Sequence, residues 1–123
     1  MVVVAHLGGG ISALWPRVRG YQDKAFWGTH EHAARGGEER DVDAYLRRLY
    51  FDTSGVFGAV SAVEVAAAHI PREQIVLGTD YPQQFRAPEP VARYVRELER
   101  LDGGAHMLRD NAARLLAAAG RPA

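Results

Sequence analysis

Apolar residues run without interruption from Val2 to Ala5, then give way to His6, Leu7 and the glycines Gly8, Gly9 and Gly10. Continuous rather than alternating hydrophobicity predicts a strand buried on both faces, as in parallel sheets. Two later runs read the same way. LYFDTSG predicts a strand over Leu49–Asp52 or Thr53, ended by Ser54 and Gly55. IVLGTDYP predicts another over Ile75–Thr79, delivering Asp80 before Pro82 breaks the chain. Helical patterns fill the intervals. Ile11–Arg19 is a helical segment that Pro16 should confine to a start or a kink. Asp41–Arg48 is a short helix with Asp41 as its N-cap. Val60–His69 is an alanine- and valine-rich helix stopped by Pro71. Pro88–Leu101 is amphipathic, with Val91, Val95, Leu98 and Leu101 on one face. Met107–Ala119 closes the series with a stripe of Leu108, Ala112, Leu115 and Leu116, before Gly120 and Pro122. Gly20–Gly37 has no clean period and reads as a long loop.

Alternation of strand and helix predicts an α/β fold with βαβ crossovers and a parallel sheet. No repeat or linker divides residues 1–123, so one domain is expected. Composition narrows the partners. Basic and acidic residues number 15 each, so no net field favours nucleic acid or an anionic membrane. Cysteine is absent, which excludes disulfides and thiolate metal sites within this chain. The first apolar run is short and lacks a basic leader, unlike a signal peptide, and nothing approaches the roughly 18 apolar residues of a membrane span. A soluble, cytoplasmic protein is the expectation.

The chemistry gathers at strand ends. His6 follows the first strand and Asp80 the third, and in parallel α/β folds the carboxyl ends of strands are where ligands and catalytic groups collect. A histidine and an aspartate on one rim suit Zn²⁺ or a similar divalent ion, or a base acting on metal-bound water. A structural hydrogen-bonding role for His6 is the alternative. Trp15, Phe26 and Trp27 either line a substrate pocket or cover the rim. His30-Glu31-His32 has a ligand-like spacing, but its polar, glycine-bordered context favours an exposed loop. The glycine triplet lacks the residues of a P-loop, so it is read as close packing at a strand exit. Asp52 either reaches the rim or caps the following turn. Arg17 and Arg86 are read as solvated, Asn111 and Arg114 as capping and ion-pairing, and His69 and His106 as structural.

AHLGGG, YFDTSG, IVLGTDYP and LRDNAARLL, in this order, resemble the C-terminal part of the amidohydrolase-related family. That metal-dependent hydrolase branch includes the aminocarboxymuconate-semialdehyde decarboxylase-like enzymes. The likeness spans nearly the whole chain, least clearly over Gly20–Gly37. It implies part of a TIM-type (β/α)₈ barrel, with these strands as the sixth, seventh and eighth and the C-terminal helices after them. By the same resemblance, His6 takes the place of the sixth-strand histidine, which acts on bound water or substrate as acid, base or electrostatic stabiliser. Asp80 takes that of the eighth-strand aspartate, a metal ligand able to accept a proton from the nucleophilic water. A divalent metal, with zinc as the expected ion, and a small carboxylate-bearing or cyclic substrate follow from it.

The family's first-strand His-x-His pair and fifth-strand histidine have no counterpart in this sequence. A barrel of this type takes roughly 250 residues, so Met1 is expected to fall inside a domain. Three strands leave two open edges, and two copies would supply six strands rather than eight. Two functions follow. One is the C-terminal portion of a hydrolase or decarboxylase; the other is a catalytically silent fragment that depends on a second copy or a complementing chain.

Overall fold

A computed structural model describes residues 2–22 and 41–120. Three strands form one parallel sheet in chain order: β1 (Val2–Val4), β2 (Leu49–Asp52) and β3 (Ile75–Val76). Val4 lies opposite Phe51, and Phe51 opposite Ile75. The strands run parallel, so all three carboxyl ends lie on one rim of the sheet.

Helices fill the crossovers. Between β1 and β2 come α1 (Ile11–Gly20) and α2 (Val42–Leu46). The Asp41 side chain caps α2 by accepting from the Asp43 N–H at 2.9 Å, as its residue type predicts. Between β2 and β3 runs α3 (Val60–Ala67), followed by a single 3₁₀ turn at Arg72–Gln74. After β3 come α4 (Pro88–Glu99), a π-helical turn at His106–Asp110, and α5 (Asn111–Ala119). The core joins Trp15, Leu46, Phe51, Val63, Ile75, Tyr94, Leu98 and Met107, so every layer contributes to it.

Four expectations need correction. β1 is not buried on both faces: Val2 and Val3 are 54% and 46% exposed, because β1 is the edge of the described sheet. Pro16 does not limit α1, which continues from Ile11 to Gly20; the ring removes only the bond its own N–H would have made to Ser12. β3 ends at Val76 rather than Thr79, because the Leu77 N–H turns away to the Met107 carbonyl at 3.2 Å. In the last helix, Leu116 is 71% exposed, while Met107 and Asn111 are fully buried. Met107, Asn111 and the part-buried Leu115, four residues apart, make the inward face, and Leu116 falls outside it. The expected loop over Gly20–Gly37 lies largely outside the described residues.

Candidate active site at the strand ends

β1 delivers His6 into an unusual turn. His6, Leu7, Gly8, Gly9 and Gly10 all have positive φ, from 52° at Leu7 to 88° at Gly10. The chain therefore winds left-handed before α1 begins. Glycine makes that conformation accessible over the last three positions. At His6 and Leu7 it costs energy, and such strain persists where surrounding contacts hold it. Asp80 is also left-handed, at φ 55°, so both candidate residues stand on strained backbone.

The contacts that hold His6 come from the end of β2. Asp52 Oδ1 accepts the His6 backbone N–H at 3.0 Å and the Ser54 N–H at 3.0 Å, and it also accepts the Ser54 hydroxyl. Ser54 Oγ lies 2.9 Å from His6 Nδ1. The imidazole packs directly on Gly55, where an added β-carbon would stand 2.3 Å from Nδ1. Asp52 thus caps its own turn and reaches the rim residue at once.

Thr53, fully buried, extends the link to the third strand. Its hydroxyl accepts the Gly78 N–H at 3.1 Å and donates to the Gly78 carbonyl at 3.0 Å. Gly78 must be small here, since a β-carbon would meet Asp52 Cβ at 3.0 Å. Tyr94 of α4 donates its hydroxyl to the Thr53 carbonyl at 2.7 Å, and burial pushes its ionisation upward. Asp80 follows beyond Gly78. Its carbonyl accepts the Gln84 N–H at 2.9 Å, while among the described residues its carboxylate has no hydrogen-bond partner.

The parallel order puts His6 beyond the carboxyl end of β1 and Asp80 beyond that of β3. Among the described residues, no three of His, Cys, Asp and Glu come together closely enough to hold a metal ion. Two donors do not by themselves hold a divalent ion. No reaction step is therefore assigned to an ion bound by the described residues alone.

The other candidates divide. Trp15 is 6% exposed in the core, and its indole N–H donates to Asp43 at 2.9 Å. Arg19 bonds the same carboxylate at 2.9 Å and, with Trp15, holds it below its ordinary range. Phe26, Trp27 and the His30–His32 pair lie outside the described residues. Arg17 turns to the Tyr21 hydroxyl, and Arg86 is exposed. His106 pairs with Asp110 at 2.6 Å on the surface. Asn111 is no ordinary cap, because its amide bonds the carbonyls of Arg72 and Ile75 beneath β3. Sequence reasoning missed Ser54 and Gly55 as organisers of His6. The signal available was the Asp-x-Ser-Gly pattern, a side-chain-capped turn placed immediately after a buried strand.

A groove of about 500 Å³ opens between α1 and α3, with His6, Leu7 and Ser12 on one side and Gly55, Ala62 and Val65 on the other. Asp80 does not border it, so groove and rim share only the His6 corner.

No family model matches the chain, and no curated protein does. Solved structures do match. The 5-carboxyvanillate decarboxylase LigW from Sphingomonas paucimobilis is 23% identical with a TM-score of 0.67, over 94% of this chain and 33% of its own. The 2,6-dihydroxybenzoate decarboxylase from Rhizobium is 21% identical with a TM-score of 0.68, over 96% of this chain and 35% of its own. A dihydroxybenzoic acid decarboxylase from Polaromonas, solved with manganese and the inhibitor 2-nitroresorcinol, is 19% identical with a TM-score of 0.68, over 97% and 34%. The chain thus spans about a third of each of these structures. Its fold is the expected partial (β/α)₈ barrel, and these neighbours are decarboxylases, as in the branch that the sequence motifs resemble. No helix among the described residues is long and apolar enough to cross a membrane.

Proposed function

We propose that this chain is the C-terminal portion of a metal-dependent enzyme of the amidohydrolase-related family, acting on a small carboxylate-bearing or cyclic substrate. The supporting observation is a parallel sheet that carries His6 and Asp80 beyond the same strand ends, in a fold shared with decarboxylases along 94% of the chain. The neighbours favour decarboxylation over hydrolysis. In this reading Asp80 contributes a carboxylate donor to a divalent ion, zinc or manganese, whose remaining ligands come from outside the described residues. His6 contributes an imidazole as acid, base or electrostatic stabiliser at the reacting group. A second reading, a silent fragment that requires another chain, is supported by the half-exposed edge strand β1.

One experiment separates them. The coding DNA upstream of Met1 is read for an in-frame His-x-His, and the extended polypeptide is expressed with Zn²⁺ or Mn²⁺. Release of CO₂ from dihydroxybenzoates and related acids is then measured, with hydrolysis of small cyclic amides and lactones in parallel. Activity that falls by about 10²–10⁴-fold in His6→Ala supports the enzyme reading, and Asp80→Asn should abolish metal-dependent turnover. Absence of an upstream His-x-His, or full activity in both variants, overturns it. The 123-residue chain alone should retain less than one equivalent of tightly bound metal after dialysis.

A further inference from the structure

A neutral imidazole carries one proton on either of two nitrogens, and which one it occupies decides what the other can do. At His6 the surroundings make that choice. Nδ1 faces Ser54 Oγ at 2.9 Å, and Ser54 Oγ in turn contacts Asp52 Oδ1. A hydroxyl has one proton to give. A carboxylate only accepts, and its charge makes it the stronger acceptor, so the Ser54 proton goes to Asp52. Ser54 Oγ can then serve Nδ1 only as an acceptor, which requires the proton to be on Nδ1. Asp52 cannot turn away easily, because the same oxygen also accepts the backbone N–H groups of His6 and Ser54. The ring cannot slide away either. It packs closely against Gly55, and its backbone is held in the left-handed turn at His6 and Leu7. Among the described residues, Nε2 has no hydrogen-bond partner.

From this geometry we infer that Ser54, held by Asp52, is a positioning residue that keeps the proton of neutral His6 on Nδ1 and leaves Nε2 as the nitrogen with a free lone pair. The consequence for chemistry rests on the functional reading above. Neutral His6 then meets substrate as a base or electron-pair donor through Nε2, and acts as an acid only after protonation there. The tautomer itself does not depend on that reading.

Nuclear magnetic resonance of the chain labelled with ¹⁵N-histidine tests the inference directly, in a pH series carried to about 8.5 or until the His6 shifts stop changing. Five histidines contribute, and loss of one set of signals in His6→Gln assigns His6. Wild type should show Nδ1 as the protonated nitrogen and Nε2 as the bare one. Ser54→Ala should exchange the two ¹⁵N shifts, because an imidazole freed to water prefers its proton on Nε2. Ser54→Thr, which keeps the hydroxyl, should retain the wild-type pattern. A wild-type His6 protonated on Nε2 overturns the inference, and so does a folded Ser54→Ala that still holds the proton on Nδ1. Should Ser54→Ala fail to fold, the wild-type and Ser54→Thr spectra decide. An Nδ1–H wild type whose extended form shows no enzyme activity keeps this inference and loses the functional reading. Activity together with an Nε2–H wild type does the reverse.

Discussion

A β-carbon on Gly55 would stand 2.3 Å from His6 Nδ1 and 2.5 Å from its Cγ, on backbone with φ +72°. Both facts weigh against any side chain at that position. The atoms in the way belong to a ring pinned by Ser54 and by its own strained backbone, so they have little room to yield. Gly55→Ala should therefore destabilise the chain by about 1–3 kcal/mol, the range for a residue forced into a sparsely populated conformation. It should also displace His6, read as loss of the Nδ1 hydrogen bond in the ¹⁵N spectrum. A urea midpoint equal to wild type, with the His6 signals unmoved, would contradict this packing. The placement of His6 and Asp80 beyond strand ends was legible at this scale, because each follows an apolar run. Ser54 was not. Its importance lies in a contact with a residue 48 positions away, which no local pattern encodes.

Where elements meet, the same division holds between local and distant information. The three strands and the helices between them follow from apolar runs and from stops such as Pro71, and all were legible. The last helix was only half legible. Its stripe placed Leu116 inward, but the inward face runs through Met107, Asn111 and Leu115 and leaves Leu116 exposed. The side-chain amide of Asn111 then satisfies the Arg72 and Ile75 carbonyls, both at 2.7 Å, tying α5 to the start of β3. Arg114 donates to the Asn111 oxygen and completes the join. Removing that amide by Asn111→Ala leaves two carbonyls without their partner in a buried site, at about 1–3 kcal/mol for each group left unsatisfied. Chemical denaturation should show a lowered midpoint with the slope unchanged. Arg114→Ala, at an exposed position, should cost far less. Equal losses from the two substitutions would mean that the ion-pairing role first assigned to Arg114 matters more than the buried amide.

At the scale of the molecule, the sheet formed by the described residues is open on both sides. β1 pairs only with β2, and β3 only with β2, among the described residues. The two edges differ in cover: Ile75 and Val76 are buried, whereas Val2 and Val3 stand about half exposed. An edge strand with unpaired backbone groups and apolar side chains is a template for another strand. The chain also carries no net charge at neutral pH to oppose association. We therefore expect the purified chain to associate as its concentration rises, through β1. Val3→Lys is the test, since Val3 sits at mid-strand opposite Tyr50, and a lysine there is the charge that natural edge strands use to refuse a partner. Light scattering across a concentration series should show mass rising in the wild type and staying at one chain in the variant. Val65→Lys serves as control: Val65, 57% exposed against 54% for Val2, lies on α3 rather than on β1. If Val65→Lys abolishes association and Val3→Lys does not, the contact runs through the groove between α1 and α3 rather than through the open strand.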